Sequence, residues 1–136
     1  MTKSALTLIM ISFALSACAS IAQQAQEQKA GVKTDETLSE LTQRLKLSLE
    51  DAEKLRPIIR EGIILENEAW SEFGQTPLLS GKITAVYAVI DAQIEALLSP
   101  EQILEYSRYK RYRAQQVREE IRQYQKMQRQ LQENQR

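Results

Sequence analysis

Leu97-Leu98-Ser99-Pro100-Glu101-Gln102 constrains this chain more than any other stretch, because four of its residues agree on where a helix begins. Ser99 can accept a hydrogen bond as an N-cap. Pro100 suits the first helical position, where its missing N–H is no loss, and Gln102 can reach back to close a capping box. A weaker version stands upstream, where Ser48 opens a helix with Asp51 three residues on. The dominant residues (Leu, Ala, Glu, Gln, Lys and Arg) are good helix formers. Aromatics at 6%, with four Gly and three Pro, argue against a sheet of many turns. The chain of 136 residues is at most one domain with flanking segments, and the reading is all-α.

The first residues read as an address. Lys3 gives a positive start, and the apolar run Ala5 to Leu15 is too short to span a bilayer as a mature helix. Leu15-Ser16-Ala17-Cys18 follows and resembles the lipobox of bacterial lipoproteins, in which the Cys is acylated and becomes the new N-terminus. Ordinary secretory cleavage after small residues, at Ala19 or Ser20-Ile21-Ala22, is the competing reading, and both export the chain. Ala19 after the Cys implies outer-membrane sorting in a cell that has one; the soluble periplasm is the address otherwise. Cys18 is the sole Cys, so no intrachain disulfide is possible. The expected segments are an export signal with lipobox over 1–18, a flexible tether over 19–35, a helical domain over 36–125 and a frayed polar tail over 126–136.

Residues 19–34, rich in Gln, show no apolar period and predict a tether or frayed helix. Leu38, Leu41 and Leu45 mark a short helix with one apolar stripe. From Ser48, the set Ala52, Leu55, Ile59, Ile63, Trp70 and Phe73 keeps a helical period to about Gly74. Pro57 falls inside it, which predicts a kink at Arg56-Pro57, since the pattern resumes in register on both sides. Glu61, Glu66, Glu68 and Glu72 read as a solvated face. Gly74 to Gly81 carries turn signals. A return helix is expected from about Lys82 to Leu98, with Ile83, Val86, Tyr87, Ile90, Ile94 and Leu97 inward. The last helix, from Pro100 to about Leu131, would be about 45–50 Å long. Its thin stripe of Ile103, Tyr106, Val117, Tyr124 and Leu131 predicts cover by a second subunit over its first half and fraying after about Gln125.

Net charge is zero, but it is unevenly distributed: residues 19–105 hold 8 basic and 15 acidic side chains, residues 106–136 hold 9 and 3. That division favours antiparallel or intermolecular docking of opposite ends. The chain has no His and no second Cys, so soft metal sites and His-based nucleophile pairs are disfavoured; no cofactor, metal or enzymatic activity is expected. The carboxylate pairs Glu50-Asp51 and Glu119-Glu120 are adjacent on helices and point to different sides. Tyr106-Ser107-Arg108-Tyr109-Lys110-Arg111-Tyr112-Arg113 interleaves aromatics with cations. In an exported chain nucleic acid is not the expected partner. Two readings stay open: Tyr106 packs, Tyr109 and Tyr112 cover a groove and the cations are solvated, or the stretch is a surface for unfolded protein or anionic lipid.

Leu47-Ser48…Asp51 and Leu98-Ser99-Pro100-Glu101-Gln102 both resemble the LTxxQ motif, in its Ser variant, of the Spy/CpxP-type periplasmic proteins. The second copy matches at Leu98, Ser99 and Gln102, and the first departs at Asp51, where the family has Gln. The resemblance covers roughly residues 36–115. It implies a bent helical hairpin of about four helices with a long C-terminal helix, pairing as an antiparallel homodimer with a concave face. It further implies an ATP-independent chaperone, or a modulator of envelope stress, that binds unfolded or envelope proteins. Arg56, Arg60, Tyr106, Tyr109 and Arg113 are the residues expected on that face. The alternative is a lipoprotein that binds one specific envelope partner. The metal-sensing relatives use His-containing sites, which this chain lacks.

Overall fold

Each turn of this chain is short, so consecutive helices run antiparallel. The computed structural model describes residues 4–135, with side chains from 21 onward. Four helices follow in order: α1 (Ser4–Leu45), α2 (Leu49–Phe73), α3 (Leu79–Glu95) and α4 (Pro100–Glu133). Helix α1 packs on α2, α2 on α3, α3 on α4 and α4 back on α1, so two helical hairpins close into a four-membered ring. The all-α fold with a long C-terminal helix is as the sequence reading expects.

Helix α1 runs through 19–35, where a tether or frayed helix is expected. The backbone is helical throughout that stretch, and from Ala30 the helix docks. Ala30 and Thr34 are buried and extend the stripe of Leu38, Leu41 and Leu45 by two steps of four residues. Small side chains at the first two positions carry little apolar signal but permit close packing. The buried Thr34 hydroxyl donates to the Ala30 carbonyl at 2.7 Å, so its burial leaves no stranded donor.

The first corner is a Schellman turn. Lys46 adopts φ 51°, Leu47 N–H donates to the Thr42 carbonyl at 3.1 Å, and Leu47 is buried beneath the turn. Ser48 then caps α2, accepting the Asp51 N–H at 3.1 Å and donating to the Asp51 carboxylate at 2.8 Å. At the second corner Ser99 accepts the Gln102 N–H at 3.2 Å while Gln102 Oε1 accepts the Ser99 N–H at 2.9 Å, and Pro100 holds the first helical position. Gln102 Nε2 also donates to the Leu45 carbonyl at 3.2 Å, which ties the two corners together at one end of the bundle.

Helix α2 is unbroken through Pro57. The ring lies on the exposed side, where the carbonyl deprived of its donor can face water. Helix α3 begins a turn earlier than expected because Leu79, fully buried, belongs to it, and it ends at Glu95, leaving Leu97 47% exposed beyond its end instead of inward. Helix α4 continues to Glu133, past the expected fraying point at Gln125, and Leu131 faces outward.

The core has two parts. The larger joins the α1 stripe to Ala52, Leu55, Ile59, Ile63, Ile90, Ile94, Tyr106 and Tyr109. The smaller holds Ala69, Leu79, Ile83 and Ile121, with Trp70, Phe73 and Val117 against it. Trp70 and Tyr124 meet edge to face, with centroids 5.5 Å apart. Ile121, absent from the expected stripe, anchors the distal part of α4.

Candidate functional site

Polar side chains from all four helices converge in the middle of the bundle. Asp91 of α3 is the hub. Arg113 Nη2 bonds both of its carboxylate oxygens at 2.9 and 2.8 Å, and the Tyr106 hydroxyl donates to Oδ1 at 2.7 Å. Both members of the Asp91–Arg113 pair retain only 16% side-chain exposure. The Arg113 guanidinium also lies 3.7 Å from the centroid of the Tyr87 ring, a partly desolvated cation–π contact. Tyr87 in turn donates to Glu66 at 2.6 Å, and Lys33 of α1 reaches the other oxygen of that carboxylate at 3.6 Å.

The electrostatics follow from burial. Desolvation opposes the charge on Arg113, but the hydrogen bonds and charge of Asp91 outweigh it and hold the guanidinium above its usual value. Burial, reinforced by the neighbouring carboxylates, pushes the Tyr87 and Tyr106 phenols well above the ordinary tyrosine range. Burial likewise raises Tyr109. The Tyr87 and Tyr106 phenols therefore serve as neutral donors. Among the described residues, Arg113 Nε is buried without a hydrogen-bond partner. A half-open pocket of about 150 Å³ adjoins this network, with Leu41, Ile59, Ile63, Ile90 and Ile94 among its apolar lining and Lys33, Thr37, Glu66, Tyr87, Tyr109, Arg113, Gln116 and Glu120 as its polar lining.

Of the five residues expected on an accessible concave face, three are inside. Tyr106 is fully buried and Tyr109 is 6% exposed; the two rings stack with centroids 5.9 Å apart. Arg113 is committed to Asp91. The reason is spacing: positions 106, 109 and 113 share one face of α4, and that face meets the α1–α3 side of the bundle. Arg56 and Arg60 remain outside; Arg56 pairs with Asp35 and Glu53, bridging α1 and α2. Tyr112 stays half exposed, with the Arg44 guanidinium 5.4 Å from its ring centroid. Leu98 packs against the core beside the buried Leu47, so both motif leucines are structural.

The acidic face expected on α2 also needs correction at one position: Glu66 is 3% exposed. Its burial follows from its place one turn beyond Gly62 and Ile63, on the stripe that faces α3. The side chain of Cys18 lies outside the described residues. Among the described residues no helix is long and apolar enough to cross a membrane, and no three His, Cys, Asp or Glu side chains gather to hold a metal ion. No family model, curated protein or solved structure matches this chain.

Proposed function

We propose that this is an exported binding protein, tethered through Cys18, that holds one folded envelope partner at the end of the bundle where the two corners meet. The observation that supports the reading is the placement of three exposed leucines. Leu49, Leu97 and Leu104 are 81%, 47% and 62% exposed and sit on or beside the corners that the Gln102–Leu45 bond holds together. Large apolar side chains gathered in solvent mark interaction surfaces. Tyr106, Tyr109 and Arg113 of the basic–aromatic run are meanwhile spent on the interior, while Arg108, Arg111 and Tyr112 stay exposed. Absence of His and the single Cys support a role without catalysis.

ATP-independent chaperoning by a homodimer is the second reading. It rests on the LTxxQ-like corners, a kinship with Spy/CpxP-type proteins that we carry as part of the proposal, and on the same leucines, which could also meet unfolded chains. A photocrosslinker placed at Leu104 separates the two. A single discrete adduct in the native envelope, lost in the Leu49→Ser/Leu97→Ser variant, is the expected result. A diffuse ladder, together with slowed aggregation of a reduced client, supports chaperoning; no adduct of either kind overturns both.

A further inference from the structure

The cations of α4 divide into two sets. Arg108, Lys110, Arg113 and Arg122 each have a carboxylate partner, whereas Arg111, Arg118, Lys126 and Arg129 have none among the described residues. At about 100° per residue, positions 111, 118 and 129 fall within about 20° of one another, with 126 beside them. All four side chains are exposed, on the side of α4 turned away from Tyr106, Tyr109 and Arg113. The row they form is about 27 Å long. Glu120, an unpaired carboxylate of the same stretch, lies on the other side of the helix and lines the half-open pocket. Arg111 and Arg118 also border an open groove between α3 and α4 whose lining holds one carboxylate, Asp91, already bound by Arg113. The row therefore has no counter-charge of its own.

No large apolar side chain interrupts it: Ala114, Gln115, Arg122 and Gln125 stand between its members. Protein interfaces centre on buried aromatic and aliphatic anchors, which this face does not offer. An anionic bilayer requires only basic side chains near its surface. Topology adds position, since α1 and α4 are antiparallel neighbours and the distal half of the row lies toward the end from which α1 starts. Charge adds orientation. Helix α2, diagonal to α4, exposes Glu61, Glu68 and Glu72, so an anionic surface attracts one side of the bundle and repels the other.

We propose that the outer face of α4 is a docking surface for an anionic phospholipid bilayer, held by Arg111, Arg118, Lys126 and Arg129. The bundle lies along the membrane on this edge. The inference rests on the tether reading for bringing a bilayer within reach, while the contact itself needs no acyl group.

The test uses the unacylated full chain and two kinds of vesicle, one of phosphatidylglycerol and phosphatidylcholine in equal parts, the other of phosphatidylcholine alone. The apolar run Ala5 to Leu15 acts on both, so the ratio of the two partition coefficients reports charge. Arg118→Gln/Arg129→Gln should lower that ratio about 25-fold, about fivefold for each basic residue. Lys54→Gln/Arg60→Gln removes the same net charge from α2 and should change it less than about twofold, because those side chains lie beyond the reach of screened attraction. All four substituted side chains are exposed, and circular dichroism checks that both variants remain folded. Salt at about 0.5 M should abolish the preference in the unaltered chain. Equal losses in the two variants, a preference that survives high salt, or capture of DNA or polyglutamate without any preference for anionic vesicles would each overturn the proposal. These outcomes are independent of the Cys18 tether, whose own failure would appear as a mature protein without acyl groups by mass spectrometry.

Discussion

Gln102 Nε2 donates to the carbonyl oxygen of Leu45 across 57 residues of chain, at 3.2 Å. The same side chain closes the capping box of α4 through its Oε1. One amide therefore caps the start of one helix and satisfies the last turn of another. Gln102→Ala should lower stability by about 1–2 kcal/mol, the sum of a cap and a partly buried hydrogen bond. Gln102→Glu keeps the box but turns a carboxylate oxygen toward the Leu45 carbonyl, two acceptors face to face, so the loss it shows reports that contact and not the cap. Urea unfolding followed by circular dichroism at 222 nm checks both.

The Asp91–Arg113 pair should behave as a unit. Asp91→Leu strands a buried guanidinium and a phenol donor and should cost about 3–5 kcal/mol, whereas Asp91→Leu/Arg113→Met should recover most of that loss. The coupling energy from the double-mutant cycle is the measurement; additivity within about 0.5 kcal/mol would show the two residues independent.

Lys46 occupies the left-handed region at φ 51°. Glycine adopts that backbone without strain, so Lys46→Gly should stabilise the chain by about 0.5–1 kcal/mol. A raised urea midpoint with an unchanged slope is the expected signature.

At Gly62 the backbone of α2 lies close against α3. A Cβ there would sit 3.1 and 3.2 Å from two side-chain carbons of Ile90, itself buried. Gly62→Leu should therefore destabilise by about 2–3 kcal/mol through overpacking, against a gain in helix propensity of about 1 kcal/mol. Thermal unfolding and loss of near-ultraviolet signal would report it.

Alkaline pH should unfold the bundle. Burial first, then the Glu66 and Asp91 carboxylates, keep Tyr87 and Tyr106 protonated in the folded state above the ordinary tyrosine pKa of about 10; burial does the same for Tyr109. Above about pH 10 the unfolded chain has released protons that the folded chain retains. Unfolding is then coupled to proton loss, and stability falls as pH rises. Below that pH the contribution is complete and flat. In a Tyr112→Phe/Tyr124→Phe background, absorbance at 295 nm should rise together with the loss of helix signal.

Much of this architecture was readable from caps and periodicity. The Ser99 corner appears with every expected bond, and the apolar period of α2 survives Pro57 because the ring faces water. Four features escaped for physical reasons. Ala30 and Thr34 continue the α1 stripe with side chains too small or too polar to register as apolar. Glu66, Asp91 and Arg113 look like surface charges when each is considered alone, and only the meeting of four helices, with Lys33 from α1, neutralises them. Tyr109 and Arg113 differ from Tyr112 by position on the α4 surface alone, which composition cannot convey. The unsatisfied Arg113 Nε and the cavity beside it have no sequence signature, since both arise from packing between distant segments.

Among the described residues α2 and α4 stand diagonally, with no close backbone approach between them. The middle of the ring is therefore completed only when the last helix arrives, bringing Tyr106 and Arg113 to an aspartate already placed on α3. A chain emerging N-terminus first spends an interval as three helices with Asp91 still hydrated and one flank of Ile59 and Ile63 bare. Seating of the final segment thus doubles as a check on completeness: a protein cut short before residue 113 keeps most of its greasy contacts and loses the cation that makes its interior acceptable.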